Sequence, residues 1–131
     1  MNGSDRSIEH QRKTVLVVED DGLFRDLLTE VLSENDYSVM VAAGADTALG
    51  LLDAHQGPLD LLISDLVLPG ISGTELAHTL RRRYPELDVL LISGYSGKIL
   101  EERGCSVEGY TFLQKPFHPR DFLDLVQKKL G

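Results

Sequence analysis

From Thr14 onward, the sequence alternates between short apolar segments rich in β-branched residues and longer segments whose apolar residues recur with helical spacing. The alternation predicts strands at 14–18, 38–42, 60–64, 88–93 and 110–114, and helices at 22–34, 45–54, 73–83, 97–104 and 119–130. Several strand segments are nearly continuous apolar runs, which is typical of parallel strands covered by helices on both faces. Five such units in succession predict an α/β fold with a doubly wound, five-stranded parallel sheet.

The helical segments carry further local signals. Ser72 and Glu75 have the spacing of a capping box that opens the third helix, and Pro119 suits the first turn of the fifth. Segment 97–104 has few large apolar residues, so we expect it to be the least stable helix. In the first helix, two adjacent rows are expected to form one buried stripe, namely Leu23, Leu27 and Val31 beside Phe24, Leu28 and Leu32.

Composition narrows the class of protein. The chain has 131 residues, the size of one domain, and its formal net charge of −8 argues against a nucleic-acid-binding surface. Cys105 is the single cysteine, which excludes an internal disulfide and a cysteine zinc cluster. No apolar run approaches the roughly 20 residues of a membrane helix, so we expect a cytoplasmic protein without membrane contact. Polar residues 1–12 are expected to be a disordered tail, a linker or an expression scar before a domain at 13–131.

Polar side chains stand at the carboxyl ends of four predicted strands. In chain order they are Glu19, Asp20 and Asp21, then Asp65, Ser93 and Lys115. Each of these taken alone fits a helix cap or a turn. Because ligand sites of open parallel sheets lie beyond the carboxyl ends of the strands, the whole set predicts one shallow pocket.

This set of side chains has a defined chemistry. Clustered carboxylates repel and raise one another's pKa unless a cation joins them, and oxygen ligands in an open site favour Mg²⁺ over Zn²⁺. A magnesium ion and a lysine together can neutralise the charge on a phosphoryl group. A carboxylate beside them can act as the nucleophile and form an acyl phosphate.

Four segments carry a resemblance to a known family: VLVVEDD, LLISDLVLPGISG, LLISGY and FLQKPF. With them, residues 13–130 resemble the receiver domain of two-component response regulators, such as the chemotaxis regulators. The resemblance implies a flavodoxin-like (βα)5 fold with strand order 2-1-3-4-5. It also implies that Asp65 is the phospho-acceptor.

The resemblance further implies roles for the other strand-end residues. Asp20 matches the acid that binds Mg²⁺ directly, Glu19 the acid that acts through a water, and the Val67 carbonyl the third protein ligand beside Asp65. Asp21 lies one place beyond the pair and is not expected to be a ligand. Ser93 and Lys115 match the hydroxyl and the ammonium that contact the phosphoryl oxygens.

Two conformational features follow from the same resemblance. Phe112 matches the switch aromatic, which moves between outward and inward positions. The Lys115–Pro116 peptide bond is expected to be cis, an isomer that costs little before proline.

The family also implies partners. A histidine kinase or a phosphotransfer protein donates the phosphoryl group, and the domain catalyses only its own phosphorylation and dephosphorylation. Phosphorylation switches the face made by the fourth helix, fifth strand and fifth helix, which would contact a downstream target or a parent kinase. A monomer or a weak phosphorylation-dependent dimer is expected.

Two contexts remain open: a stand-alone regulator, or the C-terminal receiver of a hybrid sensor histidine kinase. The SGY and FLQKPF segments resemble the hybrid kinases, so we expect that context. Val67 and Tyr95 flank the expected route of the attacking water and are poor at orienting it, which predicts a long-lived acyl phosphate.

Three other classes are weighed against this interpretation. A haloacid-dehalogenase-type phosphatase needs a second acid two residues after the nucleophile, where this chain has Val67. A flavin or nucleotide binder would place phosphate at the loop after the first strand, which here is acidic and would repel it. A phosphorylation-independent interaction module remains the third alternative.

Overall fold

The computed structural model describes residues 12–131, which form one sheet with helices on both faces. The strands are β1 (Thr14–Val18), β2 (Ser38–Ala42), β3 (Leu61–Asp65), β4 (Asp88–Ser93) and β5 (Thr111–Gln114). The helices are α1 (Gly22–Ser33), α2 (Ala45–Ala54), α3 (Gly73–Arg83), α4 (Gly97–Glu102) and α5 (Pro119–Leu130). All strand pairs are parallel and the order is β2-β1-β3-β4-β5, so the predicted flavodoxin-like fold is confirmed.

Successive strand residues pack into two separate cores, because side chains of a strand alternate between the faces of the sheet. Leu16 and Leu62 pack with α2, α3 and α4 on one face, whereas Val17 and Ile63 pack with α1 and α5 on the other. None of the helices within residues 12–131 has the length and apolar character needed to span a membrane. The predicted tail lies almost wholly outside the described residues.

Most boundaries match the predicted ones to within one residue, and the largest difference is at α4. This helix ends at Glu102 instead of residue 104, because Gly104 adopts a left-handed φ of 78°. The Gly104 N–H donates to Glu101 and the Cys105 N–H to Leu100, which is the Schellman pattern of a helix end. Strand β3 is shifted by one residue, so that Asp65 is its last residue and pairs with Ile92.

The expectation of one wide buried stripe on α1 is wrong. Leu28 and Leu32 are buried at 1% and 0% exposure, but Leu23 is 86% and Leu27 41% exposed. A helix lying on a sheet buries only the side chains that face it. Leu23 and Leu27 turn away from the sheet, while Val31, the last residue of their row, packs against the core.

Side-chain caps fix the starts of α1, α3, α4 and α5. The predicted capping box of α3 is confirmed, with the Glu75 N–H donating to the Ser72 hydroxyl over 3.1 Å and Pro119 in the first turn of α5. Asp21 accepts hydrogen bonds from the N–H groups of Leu23 and Phe24 and so caps α1. Such a cap orients the chain that leaves β1.

Gly73 allows the backbone of α3 to approach the end of β3. A Cβ atom there would lie 2.5 Å from the Asp65 carbonyl oxygen and 3.1 Å from the Leu66 Cα, and both neighbours are backbone. The Gly73 N–H donates to the Leu66 carbonyl oxygen over 2.7 Å. Any side chain at this position must therefore displace the strand end that carries Asp65.

We expect Gly73→Ala to lower the free energy of unfolding by about 1–3 kcal/mol, the usual cost of overpacking. Gly50→Ala is the matched control, because Gly50 is an exposed position in α2 where a Cβ meets nothing within 4 Å. That control should be neutral or stabilising by up to about 1 kcal/mol. Urea unfolding measures both, and equal effects of the two variants would contradict the close-approach argument.

We also expect the amides of α4 to exchange with solvent about tenfold or more faster than those of α1. Helix α4 has six residues and buries only Leu100, whereas α1 has twelve residues and buries Leu28 and Leu32. Native-state hydrogen exchange followed by mass spectrometry measures this difference. Equal protection of the two helices would contradict the prediction that α4 is the weakest element.

Candidate functional site

The strand register brings the predicted polar residues to one edge of the sheet. Val18 pairs with Ser64, so Glu19 follows β1 at the level where β3 ends. Asp65 pairs with Ile92, the residue before Ser93, and Ser93 pairs with Gln114, the residue before Lys115. The four strand ends that the sequence singled out therefore adjoin one another.

Three carboxylates form an acidic cluster at this edge. Glu19, Asp20 and Asp65 each offer an oxygen, and these three oxygens lie within 4.8 Å of one another. Glu19 is buried, Asp20 is exposed and Asp65 is intermediate, so the cluster is open on one side. Carboxylate oxygens in an open arrangement are the donors that a hard divalent cation such as Mg²⁺ takes while keeping some of its waters.

Glu19 is held from several directions. One carboxylate oxygen accepts a hydrogen bond from the Asp21 N–H over 3.0 Å, and the other lies 3.1 Å from the Lys115 ammonium. Its carbonyl oxygen accepts a bond from the Arg25 guanidinium over 2.8 Å. Burial raises the pKa of the Glu19 carboxyl, the hydrogen bonds from Asp21 and Lys115 oppose this, and the nearby charge of Asp65 adds to it.

Asp65 presents its two carboxylate oxygens to different partners. One accepts a hydrogen bond from the Val67 N–H over 3.0 Å, and the other lies 3.4 Å from the Lys115 ammonium. Val67 is 60% exposed and its backbone bridges to Ser72, at the start of α3. The loop after Asp65 therefore folds back beside the carboxylate and leaves it accessible.

Lys115 links the two acids. Burial alone would lower the pKa of its ammonium, but the hydrogen bond to Glu19 and the negative charges of Asp65 and Glu19 together raise it. The group is therefore held in its charged form beside the carboxylates. This cation partly offsets the repulsion within the acidic cluster.

Ser93 is joined to the loops on both sides of it. The side chain is buried, and its hydroxyl oxygen accepts a hydrogen bond from the Tyr95 N–H over 3.0 Å. The Ser93 carbonyl oxygen accepts a bond from the Lys115 N–H over 2.8 Å. The hydroxyl is thus anchored at the end of β4, next to the chain segment that carries the lysine.

The remaining site predictions have these outcomes. The Lys115–Pro116 bond is cis, as expected. Asp21 caps α1 and is not among the clustered acids. Phe112 pairs with Leu91 and is half-buried against the core on the α4 side, and its movement stays a prediction.

Sequence reasoning missed two contacts of the site. The Arg25 bond to the Glu19 carbonyl joins α1 to the end of β1. The Phe24 ring, which the helical pattern assigned to the core, lies 4.3 Å from the Lys115 ammonium. Spacing along a helix cannot reveal either contact, because both depend on how α1 sits against the strand ends.

The chain is similar to proteins of two-component signalling over nearly its whole described length. The response regulator receiver domain family matches residues 15–127. The putative two-component response regulator ARR21 of Arabidopsis thaliana is 32% identical over 89% of this chain, which spans 19% of that protein. The response regulator receiver protein CpdR of Brucella abortus is 30% identical, over 90% of this chain and 97% of CpdR.

The fold of the chain is also similar to that of a solved receiver-domain structure. The receiver domain of the hybrid histidine kinase CckA matches with a TM-score of 0.75 and 32% identity, over 90% of this chain and 99% of that domain. The fold, the acidic residues at the strand ends and the family match all agree. The chain therefore belongs to the response regulator receiver domain family, the phospho-accepting modules of two-component signalling.

Proposed function

We propose that Asp65 accepts a phosphoryl group from a phosphohistidine of a histidine kinase or a phosphotransfer protein. The observation that carries this proposal is the Lys115 ammonium, which lies 3.1 Å from Glu19 and 3.4 Å from Asp65 beside an open acidic cluster. A cation fixed next to an accessible carboxylate suits transfer of an anionic group to that carboxylate. Members of this family act in signalling. We therefore propose that the domain catalyses its own phosphorylation and dephosphorylation and no other reaction.

The transfer moves one phosphoryl group between two atoms. A carboxylate oxygen of Asp65 forms a bond to phosphorus as the bond from phosphorus to the donor imidazole nitrogen breaks. The imidazole nitrogen keeps the electron pair and takes a proton from solvent. Lys115 would neutralise charge on the phosphoryl oxygens, and the Ser93 hydroxyl would donate a hydrogen bond to one of them.

Receiver domains bind Mg²⁺ through an acidic pocket, and the acidic cluster here has the donor set for that ion. Glu19, Asp20, Asp65 and the Val67 carbonyl would hold the cation, with Glu19 acting through a water. When bound, Mg²⁺ supplies positive charge that draws the phosphoryl oxygens to the carboxylate.

Phosphorylation is proposed to bias the face made by α4, β5 and α5. The Ser93 hydroxyl would move toward the phosphoryl group and carry with it the loop that leads to α4, while Phe112 would turn inward. Helix α4 suits this role, because it is short and buries only Leu100. A downstream target or a parent kinase would bind this face.

The context in a longer protein is a separate proposal. The chain resembles both CpdR, which it spans almost completely, and the receiver domain of CckA. We retain the C-terminal receiver of a hybrid histidine kinase as the proposed context, on the resemblance of its SGY and FLQKPF segments. The haloacid-dehalogenase alternative is not favoured, since the family match supports a receiver and Val67 stands where that chemistry needs an acid.

We expect the protein to gain one phosphoryl group when incubated with acetyl phosphate and Mg²⁺, as measured by intact mass. Asp65→Asn and chelation of the metal should each abolish the gain, because they remove the nucleophile and the charge that draws the donor. Asp21→Asn is the matched control. It alters the neighbouring acid, which caps α1, and asparagine caps equally well.

A gain that survives Asp65→Asn would refute Asp65 as the acceptor. No gain with acetyl phosphate should be followed by beryllofluoride binding, which needs no phosphodonor. Failure of both would support the phosphorylation-independent interaction module instead.

We also expect Val67→Asn combined with Tyr95→Glu to shorten the lifetime of the acyl phosphate by about tenfold, the effect of one added hydrogen bond to the attacking water. The two side chains are 60% and 44% exposed, so both can be replaced without opening the core. Val67→Leu with Tyr95→Phe is the control and should leave the lifetime unchanged. The lifetime is measured from the loss of the phosphoryl mass with time. Equal lifetimes in the wild type and both double variants would contradict the prediction.

A further inference from the structure

The Phe24 ring is the third partner of the Lys115 ammonium. The nitrogen lies 4.3 Å from the ring centroid, and the lysine side chain is 26% exposed. An ammonium has three N–H donors. Contacts with Glu19 and Asp65 use two directions, and the face of the ring covers a further side that would otherwise meet water.

The ring is itself held in place by the core. Phe117 meets it edge to face, with centroids 5.6 Å apart and planes at 71°. Phe117 in turn stacks on Phe122 at 5.9 Å and 25°, and Phe122 is fully buried in α5. Edge-to-face and offset contacts are the preferred geometries of aromatic pairs. The side chain of Phe24 is therefore part of a row of three rings that starts in the interior and ends at the ammonium.

A π face has properties that suit this position. It attracts a cation through the ring quadrupole, yet it takes no proton and does not ligate a metal ion. A fourth carboxylate here would add repulsion to the acidic cluster, and an aliphatic side chain would provide no electrostatic attraction. The ammonium nitrogen lies 3.1 Å from a carboxylate oxygen of Glu19 and 3.4 Å from one of Asp65. Because the attraction extends over the whole ring face, the ammonium can move closer to Asp65 and remain in contact with the ring.

We propose that Phe24 is a positioning residue that holds the Lys115 ammonium beside Asp65 for phosphoryl transfer. The proposal rests on the proposed role of Asp65 as the acceptor. Phe24 does not touch the reacting atoms and acts only through Lys115. The contact joins α1 to the segment that follows β5.

The test compares Phe24→Leu, which keeps an apolar side chain without a π face, with Phe24→Tyr, which keeps the face. In the unphosphorylated, metal-free protein, the Lys115 ε-methylene protons should show an upfield ring-current shift in the wild type and in Phe24→Tyr. This shift should be lost in Phe24→Leu. With acetyl phosphate and saturating Mg²⁺, Phe24→Leu should be phosphorylated about two- to tenfold more slowly, the range of one cation–π contact, and Phe24→Tyr should be close to the wild type.

A second pair of variants separates positioning from packing. If Phe24 acts through Lys115, Phe24→Leu should lower the midpoint of urea unfolding less in a Lys115→Met background than in the wild type, because the ammonium is no longer there to lose its partner. Equal shifts in the two backgrounds would assign Phe24 to packing alone and overturn the proposal. The proposal would also be overturned if Phe24→Leu were phosphorylated at the wild-type rate, or if the chemical shifts of the Lys115 ε-methylene protons did not change in that variant.

The two hypotheses fail in different ways. If the wild type takes up no phosphoryl group and binds no beryllofluoride, the function proposed for Asp65 fails, while the Lys115 proton shifts and the unfolding midpoints still decide the Phe24 contact. If the wild type is phosphorylated and Phe24→Leu matches it, the acceptor role stands and the positioning role is overturned.

Discussion

The ion contacts of Lys115 are the interaction on which the site depends. Glu19 has a side chain only 2% exposed, and a buried carboxylate without a partner is strongly unfavourable. The Lys115 ammonium provides that partner and at the same time lies beside Asp65. Because one cation serves both acids, removal of the lysine would leave two neighbouring carboxylates to repel each other across the end of the sheet.

The parallel sheet makes this arrangement possible with little dedicated structure. Its strands end at one edge, so residues separated by 96 positions, as Lys115 and Glu19 are, come into direct contact. Loops then adjust the details. Gly73 lets α3 approach the end of β3, and the Lys115 N–H donates to the Ser93 carbonyl, so the lysine and the hydroxyl are fixed to each other through the backbone.

Most of the fold and the set of strand-end residues could be predicted from the sequence. Apolar runs and helical spacing locate the elements, because both report burial directly, and Glu19, Asp65 and Lys115 stand out because they follow those runs. The strand order came from the family resemblance, since periodicity says nothing about which strands are neighbours. The expectation of a cis bond before Pro116, which the structure confirms, also depends on that resemblance.

Other features depend on tertiary geometry that no local pattern contains. Leu23 and Leu27 have ideal helical spacing and are nevertheless exposed, because spacing defines a stripe but not how much of it the sheet covers. The neighbouring Phe24 does pack against the core, as its spacing predicts, but the spacing does not reveal that its ring also reaches Lys115. Its contact with Lys115 depends on the angle at which α1 leaves the Asp21 cap and on the Phe117 ring, which lies against it just before α5.

These contacts give the segment after β5 a position between the two layers of helices. The Lys115 backbone bonds to Ser93, which leads toward α4 on one face of the sheet, while the ammonium lies on the Phe24 ring, which belongs to α1 on the other. Phe117, two residues later, packs with α1 and α5. A change in charge at Asp65 would therefore act on a residue that contacts both the end of β4 and α1. We expect α4, with its single buried side chain, to be the helix that moves most readily.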